Sequence, residues 1–300
     1  MPKVRTYGSL MPRLAPTARI DLHAHSTHSD GTEPPAEVVR QAGRAGLDVV
    51  GLTDHDAVSG WAEADRAGRE HGVAVVPGVE MSCSAAGSSV HLLGYFVNPD
   101  DTSLRSELER TRRSRDGRLR RMVDTLAAAG FPVSWEEVLA QASAGASLGR
   151  PHVADVLVAH GRYPDRDAAF AEVLHSSSRF HVAHYAPHPR RAVELVLEAG
   201  GAAVLAHPFA SARGHTVPVE LVEELAAAGL TGLEVDHRDH GPADRDRAAA
   251  LAQRLGLVRT GSSDYHGAGK PNRLGEHTTS AEVLTRLLDR TGGQLLGASL

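Results

Sequence analysis

The feature that most narrows what this chain can fold into is a repeated juxtaposition. Six short apolar runs each deliver a histidine or a carboxylate at or just beyond their C-terminal ends. Apolar, β-rich runs read as strands at 19–25, 47–53, 73–79, 90–96, 202–207, 231–236 and 257–262. Helical patterns at 35–45, 60–71, 189–199, 218–228 and 242–255 alternate with them, followed by Gly46, Gly72, Gly200, Gly229 and Gly256, where a left-handed cap is needed. Strand–helix alternation of this kind is the mark of a parallel sheet or barrel. Seven strands in this order predict an α/β fold, a distorted (βα)7 barrel. Barrel enzymes place their active sites at the C-terminal ends of their strands, where the polar residues fall here.

The rhythm breaks between 100 and 188, where helices are expected at 103–129, 134–143, 151–160 and 165–174. The domain reading is a barrel over 19–99 and 189–290, interrupted by a helical insertion or cap over 100–188. Residues 1–18 and 294–300 read as flexible tails. Residues 105–121 hold eight arginines against three acids, a basic stripe whose plainest role is a solvated helix face. The formal charge of -5 argues against a protein that coats duplex nucleic acid or a membrane surface, so any polyanion binding must be local. The one cysteine, Cys83, has no partner for an internal disulfide, and no apolar run approaches the ~20 residues that span a bilayer. These features read as a cytoplasmic protein.

Histidine occurs 18 times, an excess that suggests metal. The first run ends Asp21-Leu-His-Ala-His25, and a two-residue spacing on a strand turns His23 and His25 to one face. Asp30 follows in a tight turn with Gly31. The second run ends Asp54-His-Asp56, the third in Glu80, the fourth contains His91, the fifth ends in His207 and the last in Ser262-Ser-Asp-Tyr-His266. His23, His25, Asp30, His55, Glu80, His91, His207, Asp264 and His266 are thus nine candidate ligands, too many for one ion. Imidazoles and carboxylates without thiolate suit Mn, Fe or Zn at a catalytic centre. Two or three divalent ions are expected, Mn2+ first, with Glu80 able to bridge two. His71 and His160 precede glycines at helix ends and read as structural; His237 and His240 follow a strand end and are left open, as are His28, His184, His188, His215 and His277.

The motifs Asp21-Leu-His-Ala-His-Ser-Thr-His-Ser-Asp-Gly31, Thr53-Asp-His-Asp56, Pro77-Gly-Val-Glu80, Ala206-His-Pro208 and Gly261-Ser-Ser-Asp-Tyr-His266 resemble those of the polymerase and histidinol phosphatase (PHP) superfamily. The likeness runs from about residue 19 to 290. Gly149-Arg-Pro-His152 and the run Gly200 to Pro208 look most like the branch that hydrolyses nucleoside 3′,5′-bisphosphates and trims short RNA from its 5′ end. The resemblance implies that His23, His25, Glu80 and Asp264 surround one metal, Asp30, His55 and His207 a second, and Glu80, His91 and His266 a third. It implies that Asp21, Asp54 and Asp56 orient the imidazoles and that Arg150 and His152 contact the substrate phosphate. The chain departs from that branch at Ser176-Ser-Ser-Arg-Phe-His-Val182, where a Gly-Lys pair is usual, and Arg179 is the candidate substitute for the lysine.

The expected activity is hydrolysis of a nucleotide phosphate monoester by hydroxide attacking phosphorus, the substrate being a small phosphorylated nucleotide or short RNA. The alternatives are a phosphatase for histidinol phosphate or another small phosphomonoester or cyclic phosphate, and a non-catalytic metal-stabilised module binding nucleic acid or protein. A binuclear amidohydrolase commonly needs a carboxylated strand lysine, and neither Lys3 nor Lys270 occupies a suitable strand.

Overall fold

The computed structural model describes residues 14–143, 145–211 and 216–297; His215 and residues 1–13 and 298–300 of the expected tails lie outside the described residues. The element order is β1 (Ile20–Ala24), α1 (Pro35–Arg44), β2 (Val49–Leu52), α2 (Trp61–His71), β3 (Ala74–Ala85) and β4 (Ser88–Tyr95). Then come α3 (Thr102–Ala128), α4 (Trp135–Ala140), α5 (Arg150–Ala159) and α6 (Arg166–Ala169), which runs into a π-helical turn at Phe170–Leu174. The chain finishes with α7 (Pro189–Glu198), β5 (Ala202–Leu205), α8 (Val219–Ala227), β6 (Gly232–Asp236), α9 (Pro242–Leu255), β7 (Val258–Gly261), α10 (Ala281–Thr291) and β8 (Leu296–Gly297).

The strands pair in chain order from β1 to β7. Between β7 and β1 the ring is drawn together by the His25 amide donating to Tyr265 O at 2.8 Å and by bridges joining Ala24 to Tyr265 and Ile20 to Thr279. The result is a nearly closed seven-stranded barrel wrapped by helices. Strands β1, β2 and β5 are buried at every position, which explains why they read as unbroken apolar runs rather than alternating ones. The five glycines expected to cap helices all have positive φ, as a left-handed cap requires.

Three features differ from expectation. β4 runs antiparallel to both β3 and β5, so the barrel is not uniformly parallel. The cause is local: β3 extends to Ala85 and turns back through Ala86 and Gly87, both with positive φ, a two-residue hairpin whose twist matches the strands it joins. The chain after Gly293 is not wholly a loose tail, because Leu296 and Gly297 pair with Val75 and Ala74, and at the other end Leu14 packs on the barrel core. Helix α10 was not anticipated; its N-cap Ser280 accepts from the Val283 amide, and Leu284 and Leu287 are buried.

Helices α3 to α6 hold an apolar cluster of their own, including Leu119, Met122, Leu126, Val153 and Leu157. They rest on the loop after β1: the Ser147 amide donates to His28 O at 3.0 Å and Arg166 Nη1 to Asp30 O at 3.1 Å. Helix α3 starts cleanly because Asp101 accepts from the Leu104 amide at 2.8 Å. The end of the barrel carrying the polar strand termini is therefore the end these helices face.

Candidate metal centre

Inward-facing positions of the strands converge on one carboxylate. Glu80, in β3 and 1% exposed, lies among five imidazoles. Its Oε2 is 3.2 Å from His23 Nε2, 3.0 Å from His25 Nε2 and 3.2 Å from His55 Nδ1. Its Oε1 is 2.8 Å from His91 Nδ1 and 3.3 Å from His207 Nε2. His23 and His25, two apart on β1, present their Nε2 atoms 3.0 Å from each other, as the strand period dictates. Asp264 Oδ1 completes this part of the cage at 3.3 Å from His25 Nε2 and 3.5 Å from His23 Nε2.

A second part gathers around Asp30. Its Oδ1 is 3.2 Å from His266 Nε2 and 3.8 Å from His25 Nδ1, and its Oδ2 is 3.9 Å from His55 Nε2. Gly31 is needed beside it, since a Cβ there would lie 2.5 Å from His25 O. The nine residues expected to meet do come together, but with a different partition from that implied by the resemblance. His266 sits with Asp30 and His55 rather than with His91, and His207 sits against Glu80.

Three sets of ligand atoms are close enough to hold an ion: His23, His25, Glu80 and Asp264; His25, Asp30, His55 and His266; and His55, Glu80 and His91. The residues fit that role for a stated reason. Asp30 Oδ1, His55 Nδ1, Glu80 Oε2, His91 Nδ1 and His266 Nε2 are all buried and without a hydrogen-bond partner among the described residues. Five such atoms aimed at shared points would be costly unless something there satisfied them. The carboxylates and the imidazoles divide: against burial, Glu80, Glu234 and Asp264 hold His23 well up, and against burial Asp264 and Glu80 hold His25 up at about 9, the protonated form whose proton a metal would displace. Burial works against ionisation of Asp30, yet His266 and His55 hold its carboxyl well below the usual range. The same balance, with His55, His91 and His23 as the opposing groups, holds Glu80 down. Burial pushes His55 well down despite Glu80 and Asp30, and pushes His266 down to about 4 with help from Lys270 and His25. Both imidazoles are thus neutral, the form that carries a lone pair for a metal.

Of the supporting carboxylates, Asp21 and Asp56 fix the backbone that carries the ligands, and Asp54 does so while also reaching an imidazole through Ser29. Asp21 accepts from the Ser263 and Gly275 amides at 3.0 and 2.8 Å, and burial outweighs those bonds to raise its carboxyl to about 6. Asp54 accepts from the Ser26 amide at 2.8 Å and from Ser29 Oγ at 2.7 Å; Ser29 Oγ in turn lies 3.2 Å from His25 Nδ1. Asp56 accepts from the Ser82 amide at 2.8 Å and from Arg115 Nη1 at 3.1 Å. The carboxylate that holds an imidazole directly is Glu234 of β6, at 3.1 Å from His23 Nδ1 and accepting from the His207 amide at 2.8 Å. Asp56, His207 and Asp264 have φ of 51°, 28° and 54°, a left-handed backbone costing of order 1–3 kcal/mol each in non-glycine residues and concentrated at functional sites.

His237 follows β6 and faces the cage, its buried Nε2 3.6 Å from Asp264 Oδ2. His240 is structural, with Nδ1 at 2.8 Å from Val235 O and Nε2 accepting from the Phe209 amide. Lys270, in the sequence only a residue off the strands, reaches Asp264 Oδ2 at 2.9 Å. On the helical side, Arg150 starts α5 and donates to Leu174 O at 2.7 Å. His152 is buried, with Nδ1 3.0 Å from the Gly149 amide, and Asp30 is the acid whose charge it feels most. Arg179 is not brought to this group. It is exposed, stacks 4.7 Å above the Phe180 ring and lines a shallow depression with Thr125, Ala128 and Ala129.

Comparison with known proteins adds to this geometry. A family model described as PHP domain matches residues 21–190. A 3′,5′-nucleoside bisphosphate phosphatase from Chromobacterium violaceum is 34% identical over 269 residues, 90% of this chain and 94% of that protein. A phosphoribosyl 1,2-cyclic phosphate 1,2-diphosphodiesterase from Eggerthella lenta is 35% identical, covering 82% of this chain and 94% of its own. A 5′-3′ exoribonuclease from Haemophilus influenzae is 32% identical, at 83% and 90%. A solved structure from Bifidobacterium adolescentis superposes with a TM-score of 0.88 at 38% identity, covering 92% of this chain and 98% of that one.

Proposed function

Because the chain belongs to the PHP domain family, we propose that its convergent cage is the centre of a metal-dependent phosphoesterase that hydrolyses nucleoside 3′,5′-bisphosphates to phosphate and a nucleoside monophosphate and trims short RNA from its 5′ end. The observation that carries the proposal is the placement of Glu80 among five imidazoles, ringed by buried ligand atoms with no hydrogen-bond partner. Relatives acting on nucleoside bisphosphates and RNA at above 30% identity over most of their length support the substrate class.

In this reading His23, His25, Glu80 and Asp264 hold one divalent ion, and Asp30, His55 and His266 hold another with His25 alongside. His91 and His207, against Glu80, complete a third position. Ions held there, Mn2+ in our reading, supply Lewis acidity to the phosphate and lower the pKa of a bound water from ~15.7 to about 7. The chain's own residues do the rest. Glu234 fixes the ring of His23, and Asp54 acts through Ser29 on His25, so that ligand orientation is set before substrate arrives. Arg150 answers charge on the phosphate oxygens and His152, its imidazole held neutral by burial, contacts the same phosphate, while solvent water supplies the proton to the departing ribose oxygen.

The test follows, in Mn2+, phosphate release from nucleoside 3′,5′-bisphosphates, mononucleotides, sugar phosphates and histidinol phosphate, and release of the ring-opened or mononucleotide product from cyclic phosphates and 5′-phosphorylated short RNA. The highest kcat/KM is expected for a bisphosphate or a short RNA. A clear preference for histidinol phosphate or a cyclic phosphate replaces the substrate, and no release from any of them removes the proposal.

A further inference from the structure

We infer that Arg166 is a positioning residue that couples the helical insertion to one ion position of the cage, the one framed by Asp30 and His266. The inference rests on the reading of the cage as a metal centre, and it concerns which part of the chain holds one set of ligands in place.

Helix α6 is a single turn, started by Asp165, whose side chain accepts from the Ala168 amide at 2.8 Å. That turn brings Arg166 back against α5. Its guanidinium meets Asp155 edge to edge, Nε donating to Oδ1 at 2.6 Å and Nη2 to Oδ2 at 2.7 Å. Two parallel bonds fix the plane of the fork as well as its position. The remaining corner, Nη1, leaves the insertion and donates to the Asp30 carbonyl at 3.1 Å. The side chain is only 11% exposed, so water does little to weaken these bonds.

The same corner rests on the loop after β7. A Cβ added at Gly269 would lie 2.1 Å from Arg166 Nη1, so the absence of a side chain there is what admits the guanidinium. Gly269 is three residues past His266, and the two ligand loops are stapled together beside it. The Thr32 amide donates to His266 O at 3.1 Å, and the Ala268 amide to Thr32 Oγ1 at 2.9 Å. Asp30 Oδ1 and His266 Nε2 face each other at 3.2 Å, both buried.

Holding a main-chain carbonyl fixes the Cα beside it, and a ligand side chain is placed no better than its Cα. Arg166 therefore sets where Asp30 stands relative to His266. The set His23, His25, Glu80 and Asp264 is held from within the barrel instead, with Glu234 on His23 and Lys270 on Asp264. One ion position is thus built by the barrel, and the other by barrel and insertion together. Coupling of this kind is reciprocal: an ion at Asp30 tightens the docking of α5 and α6 by the factor with which their docking tightens the ion.

The experiment titrates chelator-treated protein with Mn2+ by calorimetry and follows amide exchange in α5 and α6 with and without the ion. Wild type should bind at least two ions, and loading should slow exchange in α5 and α6 about tenfold. In Arg166→Met one class of Mn2+ should weaken about tenfold, the lower end of what partners that orient ligands contribute, while another stays within about twofold. Loading should no longer slow exchange in that variant. Gly269→Ala, whose methyl would strike the guanidinium, should weaken the same class, and it keeps the test open if Arg166→Met does not fold. Excess Mn2+ should restore kcat in both variants, which a merely misfolded insertion would not show. Unchanged affinities in both variants overturn the role, as does a loss shared equally by every ion, or wild-type exchange that ignores Mn2+. If wild type binds no Mn2+ at all, the metal reading itself fails and this role falls with it.

Discussion

The cage at the barrel end and the buried arginines of α3 beside it are both charged, yet they are balanced in different ways. In the cage each carboxylate is answered by imidazoles of the same chain, Glu80 by five of them. On α3, Arg118 is buried and no described carboxylate answers it, whereas Arg115 one turn earlier pairs with Asp56 at 3.1 Å. A site with mixed signs is pre-formed by folding and tolerates loss of one member poorly, because the remaining charges are left unmatched in low dielectric. The comparison predicts that substitutions in the cage lower turnover of every substrate, and that Arg150→Ala, on the helical side, leaves metal content unchanged.

The largest effect is expected at the centre of the cage. Glu80→Gln removes the charge that five imidazoles share and leaves Oε1 alone able to serve a metal as before. Partners that only orient metal ligands typically account for 10–100-fold in metal affinity or activity, so the loss at Glu80 should exceed about 100-fold in kcat on all substrates. Bound Mn2+ measured by elemental analysis should fall with it. Retention of full metal content and more than a tenth of the activity would show that Glu80 is not a shared ligand.

Glu234→Gln should come next. Its carboxylate accepts from His23 Nδ1 and from the His207 amide, and an amide can serve only one of these as acceptor through its single oxygen. A loss of about 10–100-fold in Mn2+ affinity is expected, with activity restored at saturating metal. A defect that excess Mn2+ does not rescue would mean that Glu234 acts in the chemistry.

Glu234 also marks where the sequence stops being readable. His23, His25, His55 and Asp264 announce themselves because they stand at or beyond the ends of apolar runs, where a polar residue needs a reason. Glu234 stands inside such a run, and only closure of the barrel turns it towards His23. The direction of β4 was hidden for a related reason. Apolar pattern gives a strand's faces but not its polarity, and the only local signal, Ala86-Gly87, lies in a hairpin that joins two runs read as separate. The partition of ligands between His207 and His266 depends on the backbone turns at φ 28° and 54°, which no motif spacing encodes. Among eight arginines in 105–121, a count of charge cannot distinguish Arg115 and Arg118, both buried, from Arg105, Arg113, Arg120 and Arg121, which are exposed. Their i, i+3 spacing on the buried face of α3 was the available clue.

A smaller effect is expected where the two regions meet. Arg150→Ala should lower kcat/KM for a bisphosphate by at least tenfold, about 1.4 kcal/mol of transition-state stabilisation, with Mn2+ content unchanged. The residue also donates to Leu174 O, so a fall in unfolding temperature is expected as well. Unchanged kinetics alongside that fall would assign Arg150 to the fold alone.

The smallest effect separates the buried arginines from the rest of the basic surface. Arg179 is the residue that the family resemblance offers for phosphate contact, but its guanidinium is exposed and stacked on Phe180 beside Thr125, Ala128 and Ala129. Those α3 residues lie seven to eleven positions beyond Arg118, roughly 10–16 Å along the helix at 1.5 Å per residue. A side chain held there by a ring contact worth about 0.5–1 kcal/mol at an exposed site has no path to the buried arginines without giving up that contact. Arg179→Ala should therefore change kcat/KM by less than about twofold for bisphosphate and monophosphate alike, within the range expected of an exposed substitution away from the site. A selective loss on the bisphosphate would add Arg179 to the phosphate contact and would mean that the segment 176–182 moves onto the substrate when it binds.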